Sequence, residues 1–177
     1  MNNSKKICLI TGVGPGTGTA LVKRFAAGGY SIAMLARSEE RLKELVAEVP
    51  DTHAFVCDVS DMGALENAVA RVQKELGEVH TVIHNAVSAT LSNYLDLDPS
   101  NLRKNFEVNT VALLRLAQLT TPAMMDRGEG VIMATGNTSA YRGKANFAGF
   151  APTKAAQRIM IESIARQSGP SGVHAVY

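Results

Sequence analysis

Six short runs of apolar and β-branched residues punctuate the chain: KICLIT at 6–11, SIAMLA at 31–36, HAFVCD at 53–58, HTVIHN at 80–85, GVIMAT at 130–135 and GVHAVY at 172–177. Each is nearly continuous in its apolar character, as expected of a strand buried on both faces. Between the runs the period changes. Over 60–77, SDMGALENAVARVQKELG, the residues Ala64, Leu65, Ala68, Val69, Val72 and Leu76 form a stripe at helical spacing. Ser60 is placed to cap that helix and Gly77 to stop it. Ser38 likewise precedes Leu42, Leu45, Val46 and Val49, and Pro50 ends the run.

Strands of this kind, each followed by a helix, predict an α/β fold. The expected architecture is a doubly wound parallel sheet of the Rossmann type, in three α/β/α layers with six strands present. Open sheets of that class bind ligands at the carboxyl ends of their strands, near the switch in strand order. The chemistry is therefore expected just after the strands.

The first run leads into TGVGPGTGTALVKRF, with Gly12, Gly14, Gly16 and Gly18 ahead of a helical pattern. Glycine there allows a tight turn and lets a pyrophosphate approach the helix N-terminus, whose free N–H groups and dipole favour an anion. A strand before, a helix after and a place in the first βα unit separate this cluster from an ordinary tight turn. No Lys-Ser or Lys-Thr pair follows Gly16 or Gly18, which excludes a P-loop. At the end of the second run an NAD(H) site wants an acid to accept from the ribose 2′-hydroxyl. LARSEER instead supplies Arg37 and Ser38. An arginine fork matches a 2′-phosphate, so NADP(H) is favoured over NAD(H). The alternative is a surface arginine paired with Glu39 or Glu40.

Composition narrows the setting. With 177 residues, 46% apolar and 19% charged, the chain is the size of one domain, 1–177, with an ordinary globular balance. A net charge of +2 with interleaved signs argues against a nucleic-acid or anionic-membrane partner. Cys8 and Cys57 sit in apolar runs as small buried hydrophobes, without metal or disulfide spacing, and no metal is expected. The leading apolar run is too short for a signal-peptide core, and no stretch reaches transmembrane length. A cytoplasmic protein is the expectation.

Together these motifs make the chain resemble the short-chain dehydrogenase/reductase family over nearly its whole length. TGVGPGTG fits that family's Thr-Gly-x-x-x-Gly-x-Gly pattern through Gly12, Gly16 and Gly18. CDVS resembles its Asp-Val element, which implies that Asp58 and Val59 contact the adenine end of the cofactor. HNAV resembles its Asn-Asn-Ala-Gly element at Asn85 and Ala86, while His84 and Val87 depart from it. FEVNTVALL places Asn109 where the family has a helix asparagine that supports a water-mediated proton relay. The family's serine, tyrosine and lysine correspond here to Asn137, Phe150 and Lys154. By this resemblance Lys154 holds the cofactor ribose. Phe150 can neither donate nor accept the proton that tyrosine handles, whereas the amide of Asn137 can still donate to a carbonyl oxygen. Two nearby hydroxyls are candidate substitutes. Ser139 shares the face of Asn137 if the segment stays extended, and Tyr141 carries the phenol that Phe150 lacks.

Each site residue also has a structural reading. Asp58 can cap the next segment and Asn85 can stabilise a turn. Asn109, in an apolar helix, must have some partner. His84 reads as a hydrogen-bonded strand-end histidine. The implied function is NADP(H)-dependent hydride transfer on a small carbonyl or alcohol substrate. The alternatives are a catalytically impaired NADP(H)-binding pseudoenzyme with a structural or sensing role, and a structural subunit pairing through Leu113, Leu114, Leu116, Ala117 and Leu119. That last stripe would equally serve an ordinary core. The family's chains usually run on past the sixth strand, so the chain is read as truncated at its C-terminus with the seventh strand missing. Its last strand would then be an exposed apolar edge, and a homodimer or homotetramer is the expected assembly.

Overall fold

The computed structural model describes residues 5–177; Met1–Ser4 lie outside the described residues. Six strands form one sheet: β1 (Ile7–Thr11), β2 (Ser31–Ala36), β3 (Thr52–Val56), β4 (Val79–His84), β5 (Gly130–Ala134) and β6 (Val173–Val176). Their order is β3-β2-β1-β4-β5-β6, and every pairing is parallel. The helices are α1 (Thr17–Ala27), α2 (Glu39–Glu48), α3 (Met62–Leu76), α4 (Pro99–Phe106), α5 (Ala112–Asp126) and α6 (Ala151–Ser168). A π-helical turn, Glu107–Val111, joins α4 to α5. Among the described residues no helix is long and apolar enough to cross a membrane.

Two cores flank the sheet, which is why its strands read as continuous apolar runs. Along β1, Ile7 and Leu9 enter one core while Cys8 and Ile10 enter the other. The first core takes Leu65, Val69 and Val72 from α3, Leu113, Leu116 and Met124 from α5, and Ile161 from α6. The second takes Val22 from α1 with Leu42 and Leu45 from α2. Each such side chain contributes roughly 1.5–3 kcal/mol by leaving water. The Leu113–Leu119 stripe is thus a core face, with only Leu114 turned outward. At the β6 edge Val173 is buried and Val176 is partly exposed.

Local capping corrects one expectation. Ser38 does cap α2, accepting from the Arg41 N–H at 3.3 Å. The cap of α3, however, is Asp61, whose carboxylate accepts from the Ala64 N–H at 3.0 Å. Ser60 is drawn away from that task. It donates its N–H (3.0 Å) and its hydroxyl (2.7 Å) to Asp58 Oδ1. A carboxylate one residue later serves the helix dipole as well as the free N–H. Gly77 ends α3 at φ 110°.

The turn after β1 is pressed against the end of β4. Gly12 has φ +70°, and a Cβ there would sit 2.4 Å from the Ala86 Cα. A Cβ on Gly18 would meet the Gly12 carbonyl oxygen at 2.6 Å. No atom lies within 4 Å of a Cβ built on Gly14 or Gly16. The fold therefore needs glycine at 12 and 18 and has no packing reason for it at 14 and 16. Gly12→Ala is expected to lower stability in urea unfolding by about 1–2 kcal/mol from the left-handed backbone alone, with backbone displacement adding to it. Gly14→Ala should stay within about 0.5 kcal/mol of the parent in the same measurement.

Candidate functional site

A cleft of about 920 Å³ runs along the carboxyl ends of the strands, over the point between β1 and β4 where the strand order reverses. Its floor is the turn carrying Gly12, Gly14, Gly16 and Gly18. Arg37, Ser38 and Arg41 stand at the β2 end with Asp58 and Val59 beside them after β3; Asn85 and Ala86 line the middle; Asn137, Phe150 and Lys154 close the β5 end. All the residues named from sequence as cofactor contacts therefore face one cavity. Among the described residues no group of three or more His, Cys, Asp or Glu is arranged to hold a metal.

At the β2 end, Arg37 makes no ion pair among the described residues, while Glu39 is taken by Lys43 at 2.7 Å. Arg41 was not singled out in the sequence. It reaches back from α2, with Nη2 on the Thr19 hydroxyl at 3.0 Å and Nη1 on Glu44 at 2.9 Å. Its Nε is buried without a partner. The only advance signal was its place one turn after Ser38. The N–H and hydroxyl of Ser60 hold the Asp58 carboxyl below the usual carboxylate range, with smaller help from Arg37 and Lys104.

The middle of the cleft is fixed by buried polar groups. Asn85 donates to the Gly12 carbonyl at 2.8 Å and accepts from the Thr135 hydroxyl at 3.0 Å. It ties the ends of β1, β4 and β5 as well as lining the cavity. His84 is fully buried, and burial lowers its pKa to about 4, so it is neutral. Its Nε2 faces the Val108 carbonyl at 2.9 Å, which can only accept, so Nε2 carries the proton. Nδ1 then accepts from the Thr11 hydroxyl at 2.9 Å. This is the strand-end histidine expected from sequence.

At the β5 end, Lys154 is 3% exposed, and its Nζ donates to the Thr135 carbonyl at 2.7 Å and to Gln157 Oε1. Desolvation lowers its pKa to about 8. Phe150 sits at the N-terminus of α6, its ring 6.4 Å from that of Phe147. Asn137 Oδ1 accepts from the Ser139 N–H at 2.8 Å, capping a short 3₁₀ turn, Thr138–Ala140. Its Nδ2 has no hydrogen bond among the described residues.

That 3₁₀ turn corrects the idea that Ser139 shares a face with Asn137 on an extended segment. The chain coils and Ser139 is buried. Tyr141 is 71% exposed and lines a neighbouring groove of about 380 Å³, with its ring stacked under Arg158 at 4.8 Å. Asn109 is also set back from the cavity. Its Oδ1 accepts from the Ser88 N–H at 2.9 Å, and its Nδ2 donates to the Ser88 carbonyl and the Thr153 hydroxyl, both at 2.8 Å. One phenol escaped the sequence reading. Tyr177 places its Oη 3.1 Å from the Asn137 N–H and its ring centroid 5.8 Å from Lys154 Nζ.

The cavity fits a dinucleotide on its own features. Helices α2, α3 and α4 each begin with a side-chain cap, whereas α1, like α6, has neither a cap nor an acid in its first turn, and α1 starts at the glycine turn on the cleft floor. The Thr19 N–H is taken by the Gly14 carbonyl at 3.0 Å, while the Thr17 and Gly18 N–H groups, without a partner among the described residues, are open to an anion. Gly14 and Gly16, for which the protein itself has no steric need, leave the approach clear.

The sequence profile described as short chain dehydrogenase matches residues 6–177. The chain is 29% identical over 163 residues to L-xylulose reductase of Bos taurus, covering 92% of this chain and 65% of that one. It is 28% identical over 171 residues to carbonyl reductase (NADPH) 2 of Sus scrofa, covering 96% and 68%. A solved short-chain dehydrogenase from Streptomyces avermitilis superposes with a TM-score of 0.93 at 29% identity, over 99% of this chain and 65% of that one. The chain thus spans somewhat under two thirds of the length of the bovine relative. With the profile matched along all but its first five residues, the chain belongs to the short chain dehydrogenase family.

Proposed function

We propose that the protein binds NADP(H) and exchanges a hydride with the carbonyl or alcohol carbon of a small molecule. The observation that carries this reading is the single cavity, with an unpaired arginine at one end, an uncapped helix N-terminus in the middle and a buried lysine at the other. The nicotinamide supplies or takes up the hydride. Everything else falls to the chain. The α1 N-terminus receives the pyrophosphate beside Gly14 and Gly16. Arg37 and Ser38, with Arg41 behind them, receive the 2′-phosphate. Asp58 and Val59 flank the adenine end, and Asn85 and Ala86 form the wall between. Lys154 donates to a ribose hydroxyl.

Asn137 Nδ2 is free to donate to the substrate oxygen, where negative charge grows as a carbonyl accepts hydride. The proton that completes the alcohol comes from solvent, since Phe150 has no hydroxyl and Tyr141 faces the neighbouring groove. The name of the porcine relative, which couples carbonyl reduction to NADPH, supports the same assignment. A second reading, cofactor binding without turnover, is favoured by Phe150 alone. A hydrocarbon ring stands where the family resemblance calls for an acid.

Calorimetric titration should show NADPH binding in preference to NADH. Arg37→Ala should cost NADPH about 10- to 100-fold in affinity, the range of a charge-assisted hydrogen bond, and leave NADH nearly unchanged. Gly14→Val should weaken both cofactors. Binding of neither cofactor by the parent chain would sink the proposal. Phe150→Tyr should raise the rate of NADPH-dependent reduction of a reactive dicarbonyl by roughly 10²- to 10⁴-fold. Cofactor binding with no turnover in either form would favour the binding-only reading.

A further inference from the structure

Gln157 lies one turn beyond Lys154 on α6, is fully buried and belongs to none of the motifs that mark the cleft. Its Nε2 donates to the main-chain carbonyl of Asn109 at 2.6 Å, and its Oε1 accepts from Lys154 Nζ. The orientation of this amide is forced. A carbonyl can only accept, so Nε2 must face Asn109 and Oε1 must face the lysine. Asn109 sits in the π-helical turn Glu107–Val111, and its own side chain grips the N–H and carbonyl of Ser88 on the cleft wall. The lysine is thereby wired through Gln157 to the opposite side of the cavity.

An ammonium has three N–H donors. One goes to the part-buried Thr135 carbonyl and one to the buried Gln157, and Lys154 also faces the cleft. We propose that Gln157 is a positioning residue that holds Lys154 as a donor with its remaining N–H turned into the cleft, toward a hydroxyl of the bound cofactor. The proposal rests on the cofactor assignment above. Two fixed acceptors also favour the charged amine against the burial that lowers its pKa to about 8. The titratable groups facing it are few. His84 on β4 is neutral, and the Tyr177 phenol presents its ring. Arg158 on α6 turns to Glu162 and Tyr141. Lys104 and Asp58 share the cavity wall.

The test compares the parent with Gln157→Met, which removes the bridge, and Gln157→Glu, which makes its acceptor an anion. Two quantities are followed from about pH 6 to about pH 10: the Lys154 titration by NMR of the side-chain carbons in cofactor-free protein, and NADPH affinity by calorimetry. The lysine midpoint is expected to fall by about one unit in Gln157→Met and to rise in Gln157→Glu. Affinity should be level while the lysine is charged and decline above its midpoint, and that decline should move with it in each variant. A midpoint unmoved in both variants, with affinity weakened equally at every pH, would mean that Gln157 only packs and would overturn the proposal. If one variant fails to fold, the sign of the other's shift decides. A parent that binds no NADPH, while the lysine midpoints move as expected, would refute the cofactor assignment and the aim toward a cofactor hydroxyl, leaving the bridge itself established.

Discussion

The chemistry of this chain is organised by one main-chain contact, the packing of Gly12 against Ala86 at the centre of the sheet. No side chain fits between them, so the ends of β1 and β4 are locked at van der Waals distance. Asn85 can then reach the Gly12 carbonyl and the Thr135 hydroxyl together. Thr135 offers its carbonyl to Lys154, and from Lys154 the connection passes through Gln157 to Asn109 and on to Ser88. Every link is a buried or partly buried polar group whose loss of water is offset only if its partner is in place. The cleft is therefore positioned by a relay of satisfied hydrogen bonds, starting from a steric constraint that only glycine meets.

The same economy of polar groups separates the two ends of the cavity electrostatically. At the lysine end, burial penalises charge: His84 is neutral, and the pKa of Lys154, which faces two acceptors, is lowered to about 8. At the arginine end, Arg37 is exposed and uncommitted, and its charge is always present. A ligand bearing phosphate at one end and hydroxyls at the other matches this gradient. A long polyanion does not, because the interior end offers hydrogen-bond donors but little free positive charge.

Much of the architecture was legible because it follows from periodicity. Continuous apolar runs dictated strands with two buried faces, and the stripes at 3.6-residue spacing dictated the covering helices. The glycine turn was legible because strand, turn and helix appear in the order an anion site requires. What failed was local competition among polar side chains. Ser60 and Asp61 are both good caps, and the choice between them was made by Asp58, which takes both Ser60 donors. Ser139 was to share a face with Asn137 only if the segment stayed extended, and nothing in the sequence announced that Asn137 would cap a 3₁₀ turn. Gln157 and Arg41 were missed for a related reason. A helix pattern tells which face is buried, but not which distant carbonyl or hydroxyl a long side chain will meet there.

What the site can do without a phenol at position 150 follows from what surrounds that ring. Phe150 is nearly buried, its ring 6.4 Å from that of Phe147, so it brings an apolar face and no proton donor to this end of the cleft. The remaining polarisation comes from Asn137, whose Oδ1 is committed and whose Nδ2 is free. One neutral donor stabilises a developing alkoxide without ever giving up its proton. On the hydride-transfer reading proposed above, such a site would favour acceptors whose reduced oxygen needs little help, such as a carbonyl beside a second electron-withdrawing group, because delocalisation replaces the missing acid. An unactivated ketone requires protonation in step with hydride arrival, and neither the Phe150 ring nor the Asn137 amide can give up that proton.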